Sequence, residues 1–214
     1  MEYKEKRKLA LIKESGLPIR NVENVSLIPE KIDEESFKQL ALIKDNIKQF
    51  VNDGYNLLIY SNNCGNGKTT WSVKLGLQYI DYISQFATYE PPILYINLPL
   101  YFDVRKASIQ DKSLVEEVQR IEHIIKTARL VIFDDIGIRD LTEFERQLFY
   151  IWVEHRTSNK QSCIYTSNIH PSNFEAIFGA RVADRIIGYS TLIELKGHSR
   201  RNDVNFLDAM KGGD

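Results

Sequence analysis

Residues 61 to 70 read SNNCGNGKTT, and Gly67, Lys68 and Thr69 fall at the spacing of a phosphate-binding loop. Such a loop needs glycines because several backbone N–H groups must turn inward onto phosphate oxygens, while the helix that follows aims its positive end at the same anion. Gly65 and Gly67 supply that freedom, and the N–H groups of Asn63, Cys64, Gly65, Asn66, Gly67, Lys68, Thr69 and Thr70 are the candidate phosphate donors. In this chemistry Lys68 bridges the β and γ phosphates of ATP, and Thr69 offers its hydroxyl to Mg²⁺. Asn62 stands where the pattern has its first glycine. Asparagine enters left-handed backbone conformations more readily than most residues, which makes the replacement tolerable.

Two further stretches carry chemistry that matches the loop. LVIFDD, residues 130 to 135, places four apolar residues ahead of Asp134 and Asp135, the form of a buried strand ending in acid. Asp134 is the candidate for holding Mg²⁺ and Asp135 for orienting or deprotonating the attacking water. Two adjacent carboxylates at a dry sheet edge are costly without a cation. CIYTSN ends a second apolar run with Asn168, an amide that can place water near the γ phosphate or, alternatively, cap the next helix.

These groups work together only if strands and helices bring them to one edge. Short runs rich in β-branched and aromatic residues alternate with segments of helical period, which predicts a parallel α/β sheet. The predicted strands are 56–60, 93–98, 129–135, 162–168 and 191–195. Val73, Leu77 and Ile80 mark the helix after the loop, and Leu141, Phe144, Leu148 and Trp152 mark one after the third strand. Ahead of the first strand, Phe37, Leu40, Ala41, Ile47 and Val51 predict one helix closed by the NDG stop at 52–54. Residues 1–33 read as an N-terminal helix and linker, 34–201 as the core and 202–214 as a tail.

Composition narrows the function classes. A chain of 214 residues with 43% hydrophobic content suffices for one sizeable core. A net charge of −1 argues against sequence-blind coating of duplex DNA and confines any nucleic-acid contact to a small surface. Cys64 and Cys163 lie far apart without metal-ligand spacing, so neither a disulfide framework nor a zinc site is implied. With no signal peptide and no run of apolar residues long enough to span a bilayer, the expected location is the cytoplasm, without membrane association.

Loop, DD strand and TSN strand in this order resemble the AAA+ ATPases, and within them the DnaC/DnaI type of bacterial and phage replicative helicase loader. The resemblance runs from about residue 17 to residue 201 and includes GLPIRNV, GNGKTT, LVIFDDIG, IWVEHRTSNKQSCIYTSN, GARVADRI and GHSRR. It implies a three-layer αβα P-loop NTPase core with a five-stranded parallel sheet and a reduced or absent C-terminal lid. It also implies Mg-dependent ATP hydrolysis, with Thr69 and Asp134 serving the metal, Asp135 as the acidic catalytic residue and Asn168 as the first sensor. Arg185 would be the arginine finger reaching the neighbouring subunit, with Arg181 as the alternative, and Arg200 or Arg201 would be the second sensor. The implied partners are a hexameric replicative helicase, single-stranded DNA and further copies of the chain in a head-to-tail oligomer. The DNA contact would fall at Arg105 and Lys106, with Tyr101 or Phe102 as stacking groups. The short region before the core points to a compact, phage-encoded version.

Two other functions share this core. One is a transposition-helper ATPase of the IstB type, for which more positive charge is expected. The other is an adaptor that binds ATP as a structural clamp, against which Asp135 and Asn168 speak. On local spacing alone, Arg181 and Arg185 also fit a solvated helix face with Asp184 as partner.

Overall fold

The computed structural model describes residues 2–19, 22, 27–86 and 91–199. Its centre is a parallel sheet of β1 (Asn56–Tyr60), β2 (Ile93–Asn97), β3 (Leu130–Ile136), β4 (Ser162–Ser167) and β5 (Ser190–Glu194), in the order β2-β3-β4-β1-β5. Each strand lies within a residue of its expected bounds at either end. Because all strands run the same way, the ends of β1, β3 and β4 share one carboxyl edge.

Side chains alternate across a strand, and this splits the apolar residues between two layers. Leu57, Ile59, Ile132, Ile164 and Ile193 face a layer built from α1 (Glu2–Ser15), α2 (Glu34–Asp45), α3 (Ile47–Asn52) and α4 (Lys68–Ile83). Leu58, Val131, Phe133, Cys163 and Tyr165 face the other, built from α5 (Leu98–Ala107), α6 (Val115–Thr127), α7 (Glu143–Ser158), α8 (Phe174–Phe178) and α9 (Ala180–Tyr189). In that layer Phe133 lies near-parallel to both Tyr165 and Trp152, with ring centroids 5.7 and 6.4 Å apart. Leu11 and Leu17, at the end of α1 and just beyond it, are buried in the first layer, and Lys8 pairs with Asp81 of α4 at 3.1 Å.

Two helix expectations need correction. The single helix ahead of β1 is two, because Asn46 (φ −109, ψ 24) leaves the helical region and its side-chain amide donates to the Leu42 carbonyl. On α7 the buried residues are Phe149, Trp152, Val153 and Arg156, whereas Phe144 is 55% exposed. Phe144 sits in the first turn, where Arg105 covers its ring at 4.5 Å.

Arg156 is fully buried with no carboxylate partner among the described residues. Its guanidinium donates to the carbonyls of Ile125 (2.7 Å), Ala128 (2.9 Å), Arg129 (3.3 Å) and Ser162 (2.6 Å), and its Nε–H to the Cys163 sulfur. Two of those carbonyls close the end of α6, where a cation is favoured. Arg156→Ala should therefore lower stability by roughly 3 kcal/mol or more, since each orphaned buried acceptor costs about 1 to 3 kcal/mol. A shift in the urea midpoint worth less than about 1 kcal/mol would show that water replaces the guanidinium.

Candidate nucleotide site

The loop leaves β1 at Ser61 and enters α4 at Lys68, with Gly65 (φ 78) and Gly67 (φ 103) making the turns. A side chain at Gly67 would have to adopt a left-handed backbone and approach Leu27 at 3.3 Å. Among the described residues the non-glycine backbones with positive φ are Asp135 and Lys160. Asn62 therefore does not use the left-handed tolerance expected of it, and the first glycine of the pattern is not required here. The Ser61 hydroxyl instead organises the start of the loop by accepting from the Asn63 N–H at 2.9 Å.

Asn66 acts through its side chain, which sequence reasoning missed. Fully buried, it donates to the Ser61 hydroxyl (2.6 Å) and the Leu195 carbonyl (2.9 Å), and accepts from Lys68 Nζ (3.2 Å). Asn63 donates to the carbonyls of Lys196 and Gly197, whose own N–H groups bond the buried Asp33 carboxylate. The loop is thus tied to the segment after β5 and through it to the lead-in before α2. Lys68 Nζ also donates to the Asn63 carbonyl at 2.8 Å, across the mouth of the loop. Cys64 is exposed at the loop tip.

Asp134 ends the apolar part of β3 beside the loop, 2% exposed. Three hydroxyls donate to it: Thr69 (3.0 Å), Tyr95 (2.7 Å) and Thr166 (2.6 Å). Burial, reinforced by the Asp135 charge, lifts its carboxyl above the ordinary range, and the hydroxyls pull it back. Burial and the Asp134 charge likewise push the Tyr95 phenol far up, so it stays a donor. Among the described residues no group of three or more His, Cys, Asp or Glu side chains forms a metal cage there. One carboxylate and one hydroxyl beside a phosphate loop fit Mg²⁺, which takes few protein ligands and completes its shell with phosphate and water.

Asp135 lies at φ 59, and β3 carries one more residue than β4 between the pairs Phe133↔Tyr165 and Ile136↔Ser167. This bulge re-aims the Asp135 carboxylate, which accepts from the Asn97 amide at 3.1 Å. Gly137 (φ 78) completes the turn, and a side chain there would meet Ile169. Asn97 also caps α5 by accepting from the Leu100 N–H at 3.2 Å. Asn97 and Thr166 are therefore hydrogen-bond neighbours of the candidate carboxylates that sequence reasoning did not single out. The register pairing Asn97 with Asp134 is what brings Asn97 to this edge.

Asn168 lies just past β4 and is half-buried, and its side chain has no partner among the described residues. The capping alternative is taken by His170, whose ring nitrogen accepts from the Ser172 N–H. Arg185, on α9, is not at this edge of its own chain. It pairs with Glu154 of α7 at 2.7 Å and reaches the Tyr189 hydroxyl at 3.2 Å. The expected local partner Asp184 is corrected to Glu154, because α9 packs along α7 and Asp184 makes no ion pair among the described residues. Arg181 lies over the Tyr150 ring at 5.9 Å. Arg200 and Arg201 lie outside the described residues. Tyr101 and Phe102 cannot stack on bases as the resemblance implies: both are buried on the core-facing side of α5 against Trp152. Arg105 is paired with Glu122 at 2.8 Å, and Lys106 is exposed.

The family described as IstB-like ATP binding protein matches residues 5–206. The replicative helicase loader DnaC of Buchnera aphidicola subsp. Acyrthosiphon pisum is 22% identical over 182 residues, spanning 85% of this chain and 71% of that protein. A crystal structure of the DnaC helicase loader aligns with TM-score 0.59 at 19% identity, covering 79% of this chain and 93% of the other. The replication initiator DnaA bound to AMPPCP and single-stranded DNA aligns with TM-score 0.63 at 14% identity, over 84% of this chain and 51% of the other. At such identities the structures show a shared fold. Together with the sequence match they bear out the resemblance to DnaC-type proteins. With nearly its whole length matched, the chain belongs to the IstB-like ATP binding protein family.

Proposed function

We propose that this protein is a cytoplasmic, Mg-dependent ATPase that loads a replicative helicase onto single-stranded DNA. The observation that carries the reading is the meeting of Lys68 and Thr69 with Asp134 and Asp135 at one sheet edge of a DnaC-like chain. Lys68 exchanges its loop carbonyl for the β and γ phosphates, and the amides of residues 63 to 70 hold the chain of phosphates. Thr69 and Asp134 would hold Mg²⁺, which would supply positive charge against the phosphates. Asp135 takes the proton of the attacking water, and Asn168 holds that water in place. Arg185 serves the site of the next copy in a head-to-tail row, leaving Glu154 to do so; a half-buried surface pair of this kind can exchange partners. Arg200 or Arg201 contacts the nucleotide from the segment after β5. The single-stranded DNA contact involves Lys106 and Arg105 on α5. No helix among the described residues is long and apolar enough to cross a membrane.

The family name supports a second reading, a transposition helper acting on duplex DNA. Against it stands the net charge of −1. For the nucleotide site itself, ATP with Mg²⁺ should raise the melting temperature of the wild type, and Lys68→Ala should abolish that rise. An undiminished shift in the variant would sink the loop reading.

A further inference from the structure

We propose that Thr166 links the metal carboxylate to the catalytic one, a single hydroxyl setting the positions of both Asp134 and Asp135. The inference rests on the nucleotide reading of this site. Thr166 is fully buried one residue before the end of β4. Its hydroxyl donates to Asp134 Oδ1 at 2.6 Å and accepts from the Asp135 N–H at 3.0 Å. A hydroxyl has one proton, so giving it to Asp134 leaves a lone pair facing the amide and fixes the direction of both bonds.

The bulge makes this bond necessary. The extra residue in β3 turns Asp135 to φ 59, and its part-buried N–H finds a partner away from the regular ladder. The Tyr95 and Thr69 hydroxyls bond the Asp134 carboxylate, and the Asn97 side chain bonds the Asp135 carboxylate. Among the described residues, Thr166 is the one side chain hydrogen-bonded to both. Displacing Asp134 toward a bound metal therefore pulls on the backbone that aims Asp135. Thr166 is a positioning residue, acting through its neighbours rather than on the reacting atoms.

The test compares wild type, Thr166→Val and Thr166→Ser in three readouts. These are the Mg²⁺ concentration that half-saturates binding of a fluorescent ATP analogue, turnover at saturating Mg²⁺ and ATP, and the melting temperature without nucleotide. Valine keeps the shape and removes the hydroxyl. Roughly tenfold weaker Mg²⁺ dependence together with roughly tenfold lower turnover is expected, as for other partners of metal ligands. Serine restores the hydroxyl and should bring both within about twofold of wild type, even if melting falls from the lost methyl. If valine does not fold, Thr166→Cys, with its poor donor and acceptor, gives the same comparison. A change in melting alone, or a loss in Mg²⁺ dependence without a loss in turnover, would overturn the link. A wild type that shows no Mg²⁺-dependent binding would overturn the nucleotide reading, and the link with it.

Discussion

Asp135→Asn should bind ATP as the wild type does and lose hydrolysis by on the order of 10² to 10⁴-fold. The substitution is suited to this site because asparagine tolerates the left-handed backbone at φ 59, so the bulge in β3 and the bond from its N–H to Thr166 are retained. The amide oxygen still accepts from Asn97, while Lys68, Thr69 and Asp134 are untouched. What disappears is the basic oxygen proposed to take the proton of water. Radioactive or fluorescent ATP binding measured beside phosphate release separates the two effects. Unchanged turnover would move the catalytic role elsewhere, and Asn168 would be examined next.

Arg185→Ala should retain ATP binding by each monomer yet lose on the order of 10³-fold or more in hydrolysis, because an arginine supplied in trans can be worth that much. Its partners Glu154 and Tyr189 lie on the surface of the α7 and α9 pair, so the fold should tolerate the loss. Mixing sharpens the expectation. Lys68→Ala protein has a broken loop and an intact arginine, and Arg185→Ala protein the reverse. Together they should regain part of the activity at junctions where an intact loop faces an intact arginine. Activity that does not depend on protein concentration, with no rescue on mixing, would leave Arg185 as a surface charge held by Glu154.

Much of this site is legible in the amino-acid sequence because its parts are local. Alternating apolar residues dictate which face of β1 or β3 meets which helix layer, and the glycines at 65 and 67 mark the phosphate loop without tertiary information. What escaped depends on register and long-range packing. Tyr95, Asn97 and Thr166 are ordinary strand residues until β2 and β4 flank β3, and Asn66 looks like loop filler until the end of β5 arrives beside it. Glu154 could not be preferred to Asp184 as the partner of Arg185, since α7 and α9 are brought together only by packing. The aromatic pair Tyr101 and Phe102 pointed to bases only through the family resemblance; on α5 they are buried in the core.

The central claim is that ATP held at Lys68 drives delivery of a helicase to single-stranded DNA. It is tested most directly by measuring how much of the host's hexameric replicative helicase becomes stably retained on closed circular single-stranded DNA when this protein and ATP are added. Wild-type protein should raise retention in an ATP-dependent manner, and Lys68→Ala should not. Helicase left free while the protein and ATP accumulate on duplex DNA would contradict the loader and favour the transposition-helper reading.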